Sequence, residues 1–157
     1  MVEKTKAYIA GFLDGDGSIF FQLVRRKDYI FGYQVRASIV FYQKSKNIKI
    51  LRWLKHKLRK GYIRLRNDGL AEYTIVGLKD VWKIIALVEP YLILKRPQVK
   101  LAKRIISRIS NKKMSSGLLL RIAKEVDKFA LLNYSKKRTN TIQIIRTFLE
   151  ENHLLSL

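Results

Sequence analysis

The sequence contains no cysteine and only two histidines, His56 and His153, among its 157 residues. Without thiolates the chain has no disulfide framework and no cysteine-ligated zinc site. Two histidines so far apart in the sequence also argue against chemistry built on clustered histidine and cysteine ligands. A metal ion bound by this chain must therefore be held by oxygen ligands.

Long apolar runs are also missing. No segment approaches the roughly 18 uncharged apolar residues that a membrane span needs, and the N-terminus has no continuous apolar core like that of a signal peptide. We therefore expect a protein that is soluble, has no membrane partner and is not secreted by that route. Prolines are scarce, at Pro90 and Pro97, and there is no linker or tandem repeat, so we expect a single domain over residues 1–157.

Acidic residues are scarce: 12 Asp and Glu stand against 33 Lys and Arg, for a net charge of +21. Such an excess repels itself in a compact chain unless a polyanionic partner neutralises it, which favours a nucleic-acid partner. A ribosomal-type RNA binder and a chain enriched in lysine by an AT-rich genome are the alternatives. The charge lies in two segments, residues 22–66 with fourteen basic residues and one acid, and residues 95–138 with fourteen and two.

The first helical pattern covers residues 6–15 and follows Thr5, which we predict as its N-cap. Ala7, Gly11 and Gly15 recur at four-residue spacing, so one face of this helix has almost no side chain. Each glycine inside a helix costs about 1 kcal/mol relative to alanine. Close approach of a second helix would compensate for that cost.

After Gly17 the apolar period changes from 3.6 to 2, which predicts one hairpin, and a second hairpin surrounds the turn Asn67-Asp68-Gly69. Helical spacing returns at residues 46–59, where Gly61 is the expected stop signal. Further helices are predicted at 78–88, 97–110, 116–132 and 141–151. The order αββαββα predicts an α+β fold with a four-stranded antiparallel sheet, a core over about 5–110 and extra C-terminal helices over about 111–157.

A four-stranded sheet with all its helices on one side has one uncovered face. Alternation assigns polar residues to this face: Gln22, Arg26, Gln34, Arg36, Arg64 and Arg66. Arginine pairs bidentately with guanine and glutamine with adenine, so these residue types suit phosphates and major-groove base edges. The alternative is a sheet face that is merely solvated.

Residues 9–18, IAGFLDGDGS, resemble the motif of the LAGLIDADG homing endonucleases, with both acids and the glycine positions in register. The resemblance extends to about residue 110 and is closest to the single-motif, homodimeric members encoded in group I introns. It implies site-specific double-strand cleavage of a long pseudo-palindromic DNA target, with short 3′ overhangs. An RNA-splicing maturase and a non-cleaving DNA-binding protein on the same fold are the alternatives.

The resemblance also implies a metal site at the end of the motif. Asp16 matches the acid that binds divalent metal, with the carbonyl of Gly15 as a further ligand, and Asp14 matches an acid with a structural role. The expected cofactor is Mg²⁺, with Mn²⁺ as a substitute. One carboxylate per chain is a poor cage for such an ion, so two chains and the DNA must complete it.

Three other positions are predicted to take part in cleavage. By the same resemblance, Gln43 orders the attacking water and Lys95 supports the reacting phosphate, although local hydrogen bonding by Gln43 and simple exposure of Lys95 are the alternatives. This chain departs from the subclass at Asn47, where an arginine or lysine is usual. Lys46 is the basic residue that we expect to act instead.

The resemblance implies two partners, double-stranded DNA and a second copy of the chain, and no small-molecule substrate. The dimer interface is predicted at Tyr8, Gly11, Phe12 and Gly15. An organellar intron would place the protein in the chloroplast or mitochondrion, and otherwise it would be cytoplasmic. The predicted DNA-binding residues are Ser18, Phe20, Gln22, Val24, Arg26, Asp28, Gln34, Arg36, Ser38, Val40, Arg64, Arg66, Glu72 and Thr74.

Overall fold

The computed structural model describes residues 1–134 and 138–155. Its order of elements confirms the predicted helix–strand pattern, and its four strands form one sheet in the order β1-β2-β4-β3. Within the residues described, no helix combines the length and the apolar character needed to cross a membrane. The elements are α1 (Glu3–Asp16), β1 (Gly17–Arg25), β2 (Tyr33–Lys44), α2 (Ile48–Leu58), β3 (Tyr62–Leu65), β4 (Leu70–Val76), α3 (Leu78–Val88), α4 (Arg96–Ile109), α5 (Ser116–Asp127), α6 (Phe129–Leu132) and α7 (Ile142–Glu151), with short 3₁₀ turns at Ser45–Asn47 and Glu89–Tyr91.

Two predicted helix boundaries were wrong. Helix α1 begins before Thr5, which lies inside the helix and donates its backbone N–H to the carbonyl of Val2, the actual N-cap residue, at 3.0 Å. Helix α2 ends at Leu58, and its C-cap residue is Arg59, which takes the left-handed conformation with φ of 55°. Gly61 is not the residue that ends the helix. It lies against the backbone of Thr74, where a Cβ atom would collide with the Thr74 carbonyl, so glycine allows this close approach.

Backbone contacts divide the chain into two compact units. The first unit comprises Met1–Ile19 and Ala37–Val99. Strands β2 and β4 pair antiparallel from Ser38–Val76 to Lys44–Leu70, and β3 pairs antiparallel with β4. The fully buried core of this unit includes Ile9, Leu13, Ile39, Phe41, Leu51, Leu54, Tyr73, Ile75 and Val81.

Helix α2 covers the same face of the sheet as the core residues of β2 and β4. The hydroxyl of Tyr73 donates to the carbonyl of Lys60, just after α2, at 2.5 Å. Phe41 stacks against Tyr73 with ring centroids 5.8 Å apart, and Phe12 of α1 packs on Phe41 at 5.9 Å. Alternate residues of β2, β3 and β4 therefore face away from these helices.

The second unit comprises Phe20–Arg36 and Lys100–Leu157, of which Lys136 and Lys137 in the basic segment lie outside the described residues. Phe21 stacks against Phe129 with ring centroids 5.3 Å apart. Arg138 donates to the carbonyl of Phe21 at 2.8 Å, and Asn140 donates to that of Leu23 at 2.7 Å. The C-terminal segment thus supplies side-chain donors to strand β1.

Candidate metal site and nucleic-acid interface

The carboxylate of Asp14 is fully engaged inside the first unit. It accepts backbone N–H groups from Ile93 at 2.7 Å, Leu94 at 3.2 Å and Lys95 at 3.0 Å. Lys95 directly precedes α4, and its carbonyl accepts the N–H of Val99. Asp14 therefore joins the end of α1 to the beginning of α4, and these three hydrogen bonds are structural.

The side chain of Lys95 reaches the same end of α1. Its Nζ donates to the backbone carbonyl of Asp14 at 2.9 Å and so satisfies one of the carbonyls that a helix leaves unpaired at its C-terminus. Burial lowers the pKa of Lys95, and the neighbouring Asp14 partly opposes that effect. The Lys95 ammonium group is thus held at the backbone of Asp14, which precedes the second acid of the motif, Asp16, by two residues.

Asp16 is the last residue of α1, and its side chain is exposed. Across the residues that the structure describes, its carboxylate takes part in no hydrogen bond or ion pair, and no cluster of three or more His, Cys, Asp or Glu side chains forms a metal cage. Gly15 is exposed beside it. Carboxylate and carbonyl oxygens are hard donors that suit Mg²⁺, but Asp16 and Gly15 of one chain are too few to complete its coordination shell.

Gln43 lies at the end of β2 and hydrogen-bonds locally. Its Oε1 accepts the N–H of Lys44 at 2.9 Å and Nδ2 of Asn47 at 3.4 Å. Asn47, the position where this chain departs from the related subclass, is therefore a neighbour of Gln43. Lys46 is exposed in the 3₁₀ turn between them. Within the described ranges, no hydrogen bond joins Gln43 or Lys46 to Asp16.

The uncovered face of the first unit carries an acid between two arginines. Register places Glu72 opposite both Tyr42 and Arg64. Arg64 donates to Oε1 of Glu72 from Nε at 2.8 Å, with Nη2 at 2.7 Å, and Nη1 of Arg66 lies 3.8 Å from Oε2. Arg66 also pairs with Asp68 at 2.7 Å. Both guanidinium groups remain exposed, and they are oriented by Glu72 of β4 and by Asp68 in the turn between β3 and β4.

Two aromatic residues of this face were missing from the predicted interface. Tyr42 faces the same side as Glu72, and its pKa is raised by burial and by Glu72, against the effect of Arg66. Tyr62 pairs with Thr74 and is exposed. The period-2 alternation that selected Arg64 also includes both tyrosines, so the signal was present in the sequence.

Three predicted DNA-binding residues offer little surface in the isolated chain. Ser38 is 2% exposed, Val40 3% and Thr74 6%. Val40 and Thr74 are register partners near the middle of the β2–β4 pair. Their contribution to an interface would be confined to small apolar or hydroxyl contacts.

In the second unit the predicted interface residues lie on and around the β1–β2 hairpin. Gln22 and Arg26 are exposed, whereas Phe20, Val24, Gln34 and Arg36 are partly buried, as is Ser18 of the first unit. Arg26 forms a bidentate pair with Asp28, at 3.0 and 3.1 Å, and its guanidinium lies 5.7 Å from the ring of Tyr29. The Arg26 hydrogen bond lowers the pKa of Asp28. Tyr29 was missed because it lies in the loop, beyond the alternating pattern.

Of the four predicted dimer residues, Tyr8, Gly11 and Gly15 lie on an exposed side of α1, and Phe12 does not. Gly11 and Gly15 are exposed, and a Cβ built on either would have no atom of residues 1–134 or 138–155 within 4 Å. Tyr8 is exposed and packs edge-on against Trp53 at 5.5 Å, whereas Phe12 turns inward to Phe41. The small-residue stripe therefore remains open to a partner.

A family model described as LAGLIDADG endonuclease matches residues 9–103, which include the motif, all four strands and the start of α4. The chain belongs to the LAGLIDADG endonuclease family. It is 39% identical over 145 residues to the DNA endonuclease I-CvuI of Chlorella vulgaris, with 92% of this chain and 89% of that protein covered. It is 32% identical over 143 residues to the DNA endonuclease I-CreI of Chlamydomonas reinhardtii, with 91% and 87% covered.

The fold agrees with solved LAGLIDADG structures. The crystal structure of the homing endonuclease I-CvuI in complex with its target, in the presence of calcium, superposes with a TM-score of 0.90 at 37% identity and covers 98% of this chain and 97% of that one. The same enzyme bound to the I-CreI target in the presence of magnesium, with uncleaved DNA, also gives a TM-score of 0.90. The likeness therefore covers both units.

Proposed function

We propose that this chain is a homing endonuclease that makes double-strand breaks in a long pseudo-palindromic DNA target by metal-dependent hydrolysis and leaves short 3′ overhangs. The observation that carries the proposal is the contrast at the end of α1. Asp14 accepts three backbone N–H groups, whereas Asp16, two residues later, is exposed and has no partner among the described residues. An exposed carboxylate, two residues after the carbonyl that holds the Lys95 ammonium, suits a metal-binding role.

The mechanism assigns separate tasks to the residues around Asp16. Asp16 and the Gly15 carbonyl would hold a divalent ion, Mg²⁺ or Mn²⁺, which stabilises the charge that develops on the reacting phosphate. Lys95, fixed by the Asp14 carbonyl, provides positive charge beside that phosphate. Gln43 and Lys46 order the attacking water, with the Gln43 amide NH₂ as the donor, because its Oε1 already accepts from Lys44 and Asn47.

Recognition of double-stranded DNA falls to the uncovered strand faces of each unit. Arg64 and Arg66 in the first unit, and Gln22 and Arg26 in the second, present exposed groups of the types that read guanine and adenine in the major groove. Because Glu72 and Asp28 already orient these arginines, less side-chain freedom is lost on binding. The excess charge of +21 supplies the phosphate contacts.

Cleavage of both strands requires two copies of the chain. Each copy offers one exposed motif carboxylate that has no partner in the described part of the chain, and the stripe of Ala7, Gly11 and Gly15 is exposed for close packing of a second α1. A two-fold dimer presents the same reading residues in opposite directions, so the target is pseudo-palindromic. If the chain is encoded in an organellar intron, it acts in the chloroplast or mitochondrion.

A plasmid assay tests this function. The target is the genomic DNA on either side of the gene, joined as it would be without the inserted intron, and cloned into a supercoiled plasmid. We expect linearisation in Mg²⁺ or Mn²⁺, protection by EDTA, and no cutting of a plasmid that carries the interrupted site. Specific binding without cutting in either metal would instead support a non-cleaving DNA-binding protein.

A further inference from the structure

We propose that Arg25, Tyr33 and Phe148 clamp the β1–β2 hairpin loop, so that helix α7 helps to determine which base pairs the hairpin reads. The clamp is the set of these three side chains, and the loop is residues 26–32. All of them lie in the second unit. The inference rests on the proposed function, because it concerns how the hairpin reads DNA.

The loop is closed by a small number of backbone bonds. Arg26 N–H donates to the Gly32 carbonyl at 2.8 Å, and Gly32 N–H donates to the Tyr29 carbonyl at 2.9 Å. Five successive residues of the loop, 26 to 30, are exposed. So short a network does not by itself fix the loop, because exposed backbone hydrogen bonds with few buried contacts open readily.

Arg25 strengthens the base of this loop from one side. Its Nη1 donates to the Gly32 carbonyl at 2.6 Å and to the Arg26 carbonyl at 3.1 Å. The Gly32 carbonyl thus accepts two donors, one from the backbone and one from the guanidinium. One side chain therefore ties together both ends of the loop.

Helix α7 holds Arg25 in this position. The Arg25 guanidinium lies 4.2 Å from the centre of the Phe148 ring and 5.4 Å from that of Tyr33. The two rings meet edge-on at 5.4 Å with an interplanar angle of 83°. Gly32, with φ of 75°, lies so close to Phe148 and Arg25 that a Cβ atom would collide with both. The contact is therefore tight enough to transmit the position of α7 to the loop.

The alternation of side chains along β1 places the residue that holds the loop, Arg25, on the opposite face from the residues proposed to contact DNA. Arg25 continues the row of Phe21 and Leu23, which are buried against the helical side, whereas Gln22 and Val24 face the other way. Its neighbour Arg26 is turned instead to Asp28 and Tyr29. Adjacent arginines thus have different roles: Arg26 is placed to read DNA, and Arg25 is a positioning residue.

The test compares four variants for binding to a series of targets in which each base pair is changed singly. Phe148→Leu removes the ring and keeps apolar volume, Arg25→Met removes the guanidinium and keeps the stem, and Phe148→Tyr keeps the ring. The control is Leu149→Ala, which opens the core from the same helix at a fully buried residue outside the clamp. The hairpin positions of the target are those at which Arg26→Ala loses discrimination.

We expect Phe148→Leu and Arg25→Met to lose about tenfold in discrimination at the hairpin positions, the value of one good base contact, and to keep it at positions read by Arg64 and Arg66. Phe148→Tyr should retain the wild-type profile. Leu149→Ala should lower stability and leave the profile unchanged. Uniform weakening at all positions, or an unchanged profile in both clamp variants, would overturn the proposal.

Hydrogen exchange on the free protein gives a second readout that needs no DNA. The amides of Arg26 and Gly32 should exchange faster in Phe148→Leu and Arg25→Met than in Leu149→Ala, once each is corrected for its global stability. Unchanged exchange would show that the clamp does not hold the loop. If the wild-type protein prefers no DNA sequence, the proposed function fails, and these exchange rates still decide whether the clamp orders the loop.

Discussion

The two sides of helix α1 have opposite characters. Its inward side buries Ile9, Ala10 and Leu13, and there the Asp14 side chain accepts three backbone hydrogen bonds. On the outward side, Gly11 and Gly15 face open space, and Asp16 has no partner among the described residues. The inward side therefore supports folding. We expect the outward side to contribute nothing to the fold of one chain and to serve the partner, the metal and the DNA.

The largest expected effect is the loss of cleavage on substitution of Asp16, which lies on the outward side of α1. Asp16→Asn should lower the rate of cleavage by at least about a thousandfold, because several kilocalories of transition-state stabilisation are lost with the metal. Specific DNA binding should be retained, and the free energy of unfolding should change by less than about 0.5 kcal/mol. Single-turnover cleavage and urea denaturation measure these quantities. Cutting by the variant in Mg²⁺ at the wild-type rate would contradict the role of Asp16.

The role of the outward side in dimer formation can be tested at Gly11, without changing an acidic residue. Gly11→Leu should produce a monomer that makes no double-strand breaks, while the free energy of unfolding of the chain rises by about 0.5–1 kcal/mol from better helix propensity. The matched control is Gly117→Leu in α5, which also faces open space. Light scattering and plasmid cleavage give the result. A Gly11→Leu monomer that still cuts both strands would refute the dimer.

The inward side should respond in the opposite way. Asp14→Ala removes the acceptor of three backbone N–H groups and should lower the free energy of unfolding by about 2–4 kcal/mol. We expect the variant protein that remains folded to bind DNA with normal specificity. Urea denaturation and binding assays check both. An undiminished stability would mean that water replaces the carboxylate at no cost.

Smaller effects are expected on the sheet faces. Arg64→Ala or Arg66→Ala should each weaken binding by about 1–3 kcal/mol at one target position and relax specificity there. Lys113→Ala, in an exposed loop between α4 and α5, is the control and should weaken binding evenly across sequences. Total affinity should fall steeply with salt, as expected for about 6–10 phosphate contacts. If all three variants had the same specificity profile, the proposal that the sheet recognises the DNA sequence would be wrong.

The smallest effect is a pH dependence in the second unit. Burial would raise the pKa of Glu125, but hydrogen bonds from Lys128 and Arg104 outweigh it and lower the pKa below 4.5. The ion pairs therefore stabilise the fold above that pH, and this contribution is lost as the pH falls through the lowered pKa. Since both basic partners are nearly half exposed to solvent, which screens the ion pairs, Glu125→Gln should cost less than about 1 kcal/mol at pH 7. The difference from wild type should vanish in acid.

The order of elements could be predicted because apolar residues recur so regularly, with Ile19, Phe21 and Leu23 all buried. Helix ends were less predictable. Glu3 and Lys6 pair at 2.9 Å in the first turn of α1 and extend it beyond the expected cap at Thr5. Arg59 tolerates the left-handed conformation that glycine usually takes.

The site was predictable only in part, because its partners are distant in sequence. Asp14 was expected to be structural from the motif, yet its donors begin 79 residues later at Ile93 and follow no local pattern. The clamp was not foreseen, since Arg25 and Phe148 lie far apart in the sequence. Arg25 follows Ile19, Phe21 and Leu23 in the same alternating row, and a charged residue at that position of an apolar row was the signal that the sequence offered.

The hydrogen bonds from Arg138 and Asn140 to β1 have a consequence for solubility. Strand β1 lies at an edge of the sheet, where free carbonyls invite strand pairing with another molecule and lead to aggregation. The carbonyls of Phe21 and Leu23 already accept hydrogen bonds from these two side chains, so they are not available to pair with a strand of another molecule. A chain cut before Arg138 would expose that edge and, despite its positive charge, should form β-rich aggregates at concentrations where the intact chain stays in solution.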